Sequence, residues 1–325
     1  MRFTEDAHMS DLIHDDYRLL QVISRFGVNL GFGDQTVAAA CKGSGVDVPT
    51  FLAVVNFVLS GGRTNVDELV DQVSVSALMK YLQRSHSYFV DFRLPAIRRK
   101  LIEAINCSAR NQITFLILKF YDEYAAEVQR HMEYENAHIH VYVQQLLDGK
   151  VPANASNYAA LAHQHEDNHS SLAKSSEELK SIIIKYYPSD SDMLQLSDTL
   201  MDIYIMEEDL FSHCLLEDTL FAQAVEQLEQ EIRSRSTKHH TDSTSDSEDS
   251  RSNGPEEISE REKEVIRLVV QGLSNKEIAE KMFISTNTVM THRRNIARKT
   301  QIHSPAGLTI YAIVNGLVNL EDVQL

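Results

Sequence analysis

The sequence contains little cysteine, little proline and no tryptophan. Its 325 residues include three cysteines and six prolines. Cys41, Cys107 and Cys214 lie far apart and none belongs to a C-x-x-C pair, which excludes a disulfide framework and a zinc ribbon and fits a reducing cytoplasm. No apolar run approaches the ~20 residues of a membrane span, and the first residues lack the basic and apolar blocks of a signal peptide. We therefore expect a cytoplasmic protein with no membrane association.

Acidic residues predominate, but not along the whole chain. The formal net charge of −16 would disfavour nucleic acid if it were evenly spread, because phosphate binding requires local basic residues. Between Lys276 and His303, however, there are six basic residues and two acidic ones. The acidic excess therefore belongs to the earlier part of the chain, and the carboxy-terminal part is a different kind of domain.

Four segments carry apolar residues at intervals of three and four, as one face of an amphipathic helix does. These stripes run through residues 78–97, 113–142, 158–186 and 200–224, and Pro95 is expected to kink the first helix. Short connections make an antiparallel four-helix bundle the simplest arrangement. We predict an all-α protein whose four parts are a small helical domain (1–60), the bundle (75–232), a disordered linker with almost no apolar residues (233–255) and a carboxy-terminal domain (256–325).

Histidine occurs in each of the four stripes, where a buried imidazole needs a partner. Glutamate follows histidine by four residues in 131-HMEYE-135 and in 213-HCLLE-217, so each pair shares one helix face. Five histidines and two glutamates exceed the four ligands of a structural zinc, whereas two octahedral ions bridged by two carboxylates would use them all. The stripes therefore predict a centre of two non-haem iron ions. Its candidate ligands are His86, His131, Glu135, His165, His169, His213 and Glu217.

The order of a histidine, HxxxE, a histidine and HxxxE resembles the hemerythrin-like bundle of the di-iron proteins that repair damaged iron-sulfur centres. The preceding segment, 26-FGVNLGFGDQTVAAACKGSGVDVPTFLAVVNFV-58, resembles the small domain that precedes the bundle in those proteins. The resemblance covers about residues 14–230. It implies an iron ligand set of His86, His131, Glu135, His213 and Glu217, with His165 or His169 as the ligand from the third helix.

Three positions depart from the family pattern. The small domain of the family usually has a Cys-Cys pair where this chain has 30-LGF-32, which leaves Cys41. The pair 165-HEDNH-169 is closer to the HxxxH helix of oxygen-binding hemerythrins. Those oxygen carriers place a bridging aspartate where this chain has Asp218; Glu217 is favoured here because it shares the helical face of His213. Among the remaining histidines, which we interpret as structural or surface residues, His138 is the main candidate for a role behind the ligands.

The stretch 258-ISEREKEVIRLVVQGLSNKEIAEKMFISTNTVMTHRRNIARKTQI-302 predicts a helix-turn-helix. Ser259 and Glu262 form a capping-box pattern, Gly272 ends the first helix, 274-SNKEIAEKM-282 supplies the second, and Ser285 or Thr286 begins a basic third helix. The pattern resembles the LuxR-type DNA-binding domain, which implies that Met290, Thr291 and Arg294 face the major groove. Met290 stands where the family commonly has lysine. The residues expected to contact phosphates are Thr288, His292, Arg293, Lys276 and Lys299.

Together these features favour a transcription regulator that is not an enzyme. In this hypothesis the di-iron domain senses oxygen, nitric oxide, or the iron or redox state, and biases binding of double-stranded DNA by a homodimer. One alternative is a protein that repairs iron-sulfur centres or donates iron, with DNA binding secondary. Another is a structural bundle whose histidines are satisfied by hydrogen bonds alone.

Overall fold

The computed structural model describes residues 2–106, 112–150, 158–187, 193–236 and 258–318, except for 283, 285, 301, 303 and 304. Within these ranges the regular structure is helical, and strands are absent apart from an isolated bridge between His8 and Thr36. The prediction of a helical protein is confirmed at this level.

Five helices form the N-terminal part: α1 (Met9–Asp15), α2 (Leu19–Phe26), α3 (Val37–Gly43), α4 (Val48–Ser60) and α5 (Asp67–Val70). Asp47 caps α4 by accepting the backbone N–H of Thr50, and α2 ends at Gly27, whose φ of 82° suits a residue without a Cβ. The helix α4 is buried along most of its length, because it is the apolar centre around which its neighbours pack.

Four long helical runs follow, and three of them contain a π-helical segment. The first consists of α6 (Val75–Ser87), π1 (Tyr88–Arg93) and α7 (Leu94–Asn106). The second consists of α8 (Gln112–Tyr134), π2 (Glu135–Ile139) and α9 (His140–Leu147). The third is α10 (Tyr158–Tyr186), and the fourth consists of α11 (Met193–Leu216), π3 (Glu217–Phe221) and α12 (Ala222–Ser236).

The first run differs from the prediction at Pro95. The expected irregularity lies before this proline, in π1, where the backbone N–H of Leu94 donates to the carbonyl of Phe89, five residues earlier. Pro95 therefore lies in the first turn of α7. Its missing backbone N–H does not remove a hydrogen bond from the interior of that helix.

The helix α12 also extends past the predicted start of the linker at residue 233. It ends at Ser236, so residues 233–236 are helical and not linker. Arg233 pairs with Glu229 one turn earlier, which favours continuation of the helix. The rest of the predicted linker lies outside the described residues.

Four helices form the carboxy-terminal part: α13 (Glu260–Val270), α14 (Asn275–Met282), α15 (Thr286–Thr300) and α16 (Pro305–Val314). The predicted capping box is confirmed, since the Ser259 hydroxyl accepts the Glu262 N–H and the Glu262 carboxylate accepts the Ser259 N–H. Gly272 has a φ of 81° in the turn before α14. The apolar sides of the four helices share one core, whose largest contributions come from α13.

The chain forms two compact units. The first contains Met1–Ala96, Glu127–Ser170 and Tyr204–Thr241, and the second contains Ile97–Ala126, Ser171–Ile203 and Asp242–Leu325. The second unit thus joins parts of the long runs with α13–α16.

Inside the second unit, α16 packs closely against α10. Gly307 leaves no room for a side chain, because a Cβ there would overlap the carboxylate of Glu178 and lie 2.9 Å from Cδ1 of Ile182. Both α10 residues are buried. The second unit therefore includes a tight contact between a helix of the carboxy-terminal domain and the third long run.

Candidate metal centre and nucleic-acid interface

The predicted ligands lie on all four long runs, and the π segments begin next to three of them. The segments π2 and π3 begin at Glu135 and Glu217, and π1 begins two residues after His86. A π segment adds a residue to one turn and so shifts which side chains share a helix face. Such segments are frequent at functional sites, and here each follows a buried polar side chain.

Glu135 lies between histidines from three helices. Its Oε1 atom is 2.9 Å from Nε2 of His131 and 3.4 Å from Nε2 of His169, and its Oε2 atom is 3.2 Å from Nε2 of His86. The carboxylate is fully buried. Its two oxygens thus face different imidazoles, as a carboxylate shared by two ions would.

One set of donors surrounds the Oε2 side. The ligand atoms of His86, Glu135, His213 and Glu217, here called the His213 group, all lie within 4.8 Å of one another, and the four residues are buried. The Nε2 atoms of His86 and His213 are 3.2 Å apart. An Oε2 atom of Glu217 lies 3.7 Å from Nε2 of His213.

A second set lies on the Oε1 side. The ligand atoms of His131, His169 and Cys214, here called the Cys214 group, also lie within 4.8 Å of one another. His169 uses its other ring nitrogen, Nδ1, to contact Oδ2 of Asp218 at 2.8 Å. Glu217 therefore belongs to the buried His213 group, whereas Asp218, whose side chain is 42% exposed, lies behind His169. The side chain of His165, the other candidate on α10, lies outside the described residues.

Burial disfavours the charged forms of these carboxylate and imidazole side chains and shifts their pKa values. Burial and the neighbouring Glu135 raise the pKa of Glu217 well above its ordinary value. Burial and the nearby His86 lower the pKa of His213 well below its ordinary value. For His169, burial lowers the pKa but hydrogen bonds to Asp218, Cys214 and Glu135 outweigh it, and the pKa is raised. Closely spaced carboxylates and imidazoles of this kind are stabilised by a shared cation.

The donor atoms fit a pair of metal ions. Oε2 of Glu217, which lies 3.7 Å from Nε2 of His213, is buried and has no hydrogen-bond partner among the described residues. Buried polar atoms without partners are rare and call for a ligand or ion. Imidazole nitrogen with carboxylate oxygen is a donor set that iron accepts.

Asn136 and His140 support His86 from behind. The Asn136 side-chain oxygen lies 3.0 Å from Nδ1 of His86 and 3.0 Å from Nδ1 of His140, whose ring stacks on that of His86. An amide oxygen only accepts, so Nδ1 of His86 carries the proton and Nε2 presents its lone pair to the His213 group. Burial and His86 lower the pKa of His140 to about 4. The expected candidate for this role, His138, is instead exposed and contacts the carbonyl of Tyr134.

In the carboxy-terminal domain, α15 carries the predicted major-groove residues on an open face. Met290, Thr291 and Arg294 are exposed, whereas Val289 and Ile296 on the other side of the helix are buried in the core. The predicted base-contacting side chains are therefore available to a ligand.

The predicted phosphate contacts differ from one another in their surroundings. Lys276 is exposed, and Thr288 and His292 are half-buried. Arg293 donates to Oδ1 of Asn275 at 2.8 Å, and Nζ of Lys299 lies 2.9 Å from Oε2 of Glu262 with its side chain only 11% exposed. The last two side chains thus hold α15 against α14 and α13.

Comparison with known proteins identifies this domain. Residues 256–312 match the family model of bacterial regulatory proteins of the luxR family. The transcriptional regulatory protein MctR of Rhizobium johnstonii is 42% identical over 66 residues, which are 20% of this chain and 31% of that protein. A nitrate/nitrite response regulator protein homolog of Haemophilus influenzae is 34% identical over 129 residues, which are 36% of this chain and 57% of that protein. The oxygen regulatory protein NreC of Staphylococcus carnosus is 40% identical over 62 residues, which are 19% of this chain and 29% of that protein.

The carboxy-terminal part is a LuxR-type helix-turn-helix domain, the DNA-binding domain expected from the sequence. The matched segments span between 29% and 57% of the length of these three relatives. None of the described helices is both long enough and apolar enough to cross a membrane.

Proposed function

We propose that the protein is a transcription regulator in which a di-iron, hemerythrin-like four-helix bundle controls a LuxR-type DNA-binding domain. The signal is oxygen, nitric oxide, or the iron or redox state. One observation carries the proposal: Glu135 lies between two sets of side chains that could hold metal ions, one of them fully buried, in the same chain as a DNA-binding domain.

Each of the two proposed ions corresponds to one of the two groups of donors, the His213 group and the Cys214 group. His86, His213 and Glu217 would hold one ion and His131 and His169 the other, with Glu135 shared. A pair of non-haem iron ions supplies a place where small diatomic molecules bind and where electrons are gained or lost. The protein contributes burial, which excludes water, and the hydrogen bond from His86 to Asn136, which fixes the ring that faces the site.

The third long run offers a route from this site to the DNA-binding domain. The helix α10 carries both His169 and, further toward its carboxy-terminal end, Glu178. Glu178 packs against Gly307 in the first turn of α16. We infer that displacement or rotation of α10, when the ligation of His169 changes, alters this contact. A packed contact without spare volume responds to small shifts by rearranging, since cores deform little.

A homodimer follows from the same proposal. LuxR-type domains read paired half-sites, which a two-fold symmetric dimer matches. On α11, large apolar side chains lie exposed along one side of the helix; they are Leu194, Met201, Tyr204, Ile205 and Phe211. We infer that these exposed apolar side chains belong to an interaction site, and a second copy of the chain is the occupant that the symmetry of paired half-sites requires.

The proposal is tested by footprinting on the promoter region of the protein's own gene. The full-length protein is compared in its reduced, oxidised and nitric-oxide-treated forms. We expect the affinity for DNA or the state of dimerisation to differ between at least two forms. Equal affinity and equal dimerisation in all three would contradict the sensor function and leave the domain assignment intact.

The same metal-binding side chains would also serve a protein that repairs iron-sulfur centres or donates iron. Cys41, the cysteine remaining in the small N-terminal part, is buried, and burial with the nearby Asp47 raises its pKa to about 12. A thiol with such a pKa is a poor nucleophile at neutral pH. Transfer of iron to an apo acceptor protein, together with unchanged DNA affinity, would favour this alternative.

A further inference from the structure

We propose that Cys214 is a thiolate ligand of the metal ion held by His131 and His169. The inference rests on the proposed di-iron site and adds a donor of a different element to it. Its basis is the Cys214 group, whose three donor atoms come from three separate helices, α8, α10 and α11, and all lie within 4.8 Å of one another.

The fourth long run presents two adjacent pairs of residues to the site, from the end of α11 and the start of π3. His213 and Glu217 form the first pair and Cys214 and Asp218 the second, each spaced by four residues and so on a common face. The first pair belongs to the His213 group. The second lies beside His169, because Oδ2 of Asp218 is 2.8 Å from its Nδ1 atom and Sγ of Cys214 lies within 4.8 Å of its ligand nitrogen. One helix thereby serves both ions with neighbouring side chains.

Charge balance favours a thiolate on this side. Two divalent ions carry more positive charge than Glu135 and Glu217 can neutralise, and uncompensated charge is costly in a buried site. Histidines contribute none when they bind as neutral ligands. When Cys214 binds, its S–H bond breaks, the sulfur keeps the electron pair and bonds to the metal, and the proton is released to solvent. The result places one negative charge next to the ion that His131 and His169 hold.

The chemistry also selects the metal. Sulfur donors favour iron, cobalt, zinc and copper over magnesium, calcium and manganese, which prefer oxygen. A site of two imidazoles, a thiolate and a shared carboxylate would therefore discriminate against the abundant hard cations. It would also give this ion a different set of donors from its neighbour, so the two ions would not be equivalent.

Cobalt(II) alone is a suitable probe, because a thiolate bound to cobalt gives an intense near-ultraviolet charge-transfer band that imidazole and carboxylate do not. The full-length protein is loaded anaerobically, and bound cobalt is measured in the same samples. We expect the band in the wild-type protein and in a Cys41→Ser/Cys107→Ser double variant, where Cys214 is the remaining cysteine. Adding Cys214→Ser should remove the band while the His213 group still retains cobalt.

Each outcome decides the matter. Stoichiometric cobalt without a charge-transfer band in the wild type overturns the thiolate ligand but leaves the metal site. A band that survives in Cys214→Ser and disappears in the double variant assigns it to another cysteine and overturns the proposal. Absence of bound cobalt and of bound iron overturns both the ligand and the proposed metal centre. Should Cys214→Ser fail to fold, Cys214→Ala, which places no polar atom in the buried position, is interpreted in the same way. Helicity measured by circular dichroism identifies a folded sample.

Discussion

The Nε2 atoms of His86 and His213 lie 3.2 Å apart in a buried site, and each imidazole approaches a glutamate as well. His86 comes from the first long run and His213 from the fourth. Because the Asn136 side-chain oxygen accepts a hydrogen bond from Nδ1–H of His86, the lone pair on Nε2 of His86 points toward His213. Two imidazole nitrogens that converge in this way are positioned to share a cation.

Removal of the shared carboxylate should abolish metal loading. We expect Glu135→Ala to lower the iron bound to anaerobically purified protein to less than about one ion per chain, because both proposed ions lose the carboxylate that they would share. Iron is measured by elemental analysis. Glu133→Ala is the matched control, since Glu133 lies on the same helix but is exposed. Equal iron in the two variants would contradict the role of Glu135.

A milder change behind the ligands should weaken binding without abolishing it. We expect Asn136→Ala to lower the affinity for cobalt(II) about 10- to 100-fold, because the ring of His86 loses the hydrogen bond that orients it. Affinity is measured by competition with a chelator. His138→Ala, on the same π segment but with its ring against the Tyr134 carbonyl and not against His86, should leave affinity unchanged. A larger loss of cobalt affinity in His138→Ala than in Asn136→Ala would contradict the conclusion that Asn136, and not His138, orients the ring of His86.

Periodicity predicted the helices well where a regular α-helix suffices. The stripe at residues 158–186 coincides with α10, and the capping box at Ser259 begins α13 one residue later, as expected. Turn and cap signals are local, so a single sequence reveals them. The antiparallel arrangement of the four runs stays a prediction.

The missed features depend on contacts that sequence spacing does not encode. A pattern with a period of 3.6 residues does not reveal where a helix takes up an extra residue, so π1–π3 were not anticipated. In the sequence, Cys214 cannot be distinguished from the apolar residues of the stripe in α11. Asn136 carries no signal at all until the ring of His86 is seen beside it.

Two substitutions in the DNA-binding domain should have different effects. We expect Arg294→Ala to cost about 1–3 kcal/mol in binding to a duplex from the gene's own promoter region, since we predict that this exposed arginine contacts bases. Lys276→Ala should instead reduce the slope of log affinity against log salt by about one. Fluorescence anisotropy at several salt concentrations measures both. Arg261→Ala, an exposed arginine on α13 paired with Glu264, is the control and should change neither.

The stability of the same domain should depend on pH through Glu262. Burial would raise the pKa of Glu262, but the Ser259 backbone N–H and the Lys299 ammonium outweigh it and hold the pKa below its ordinary value. A carboxyl with a lowered folded-state pKa stabilises the domain above its unfolded pKa, near ~4.3, and the stabilisation is lost as the pH falls through the folded value. Lys299→Ala removes one cause of the shift, so stability should fall by about 1–3 kcal/mol at neutral pH and decline less steeply in acid.

The composition of the chain provides a way to measure how the stability of this domain depends on pH. It contains no tryptophan, so a single Tyr311→Trp substitution in both backgrounds gives fluorescence from this domain alone. Urea unfolding is followed at several pH values. An equally steep acid dependence in the two backgrounds would show that the Glu262–Lys299 pair does not set the pKa.

The contact between α16 and α10 should matter for communication more than for DNA binding itself. We expect Gly307→Ala to disturb the contact, because the added Cβ would overlap the Glu178 carboxylate and lie 3.0 Å from Cγ2 of Ile302. Coupling between two sites is the ratio of DNA affinities in the two metal states. That ratio should approach one in Gly307→Ala, while DNA affinity itself stays within a few-fold of the wild type in at least one state.

The matched control for this variant is Val314→Ala, a change on the same helix at an exposed position. It should keep the wild-type ratio, since the Val314 side chain is 42% exposed. The ratio is measured by footprinting with reduced and nitric-oxide-treated protein. If Gly307→Ala keeps the wild-type ratio and Glu135→Ala removes it, the metal centre controls DNA binding by a route other than the α10–α16 contact. If α10 is the route, the two variants lose the ratio for different reasons: Glu135→Ala no longer loads iron, whereas Gly307→Ala loads it fully.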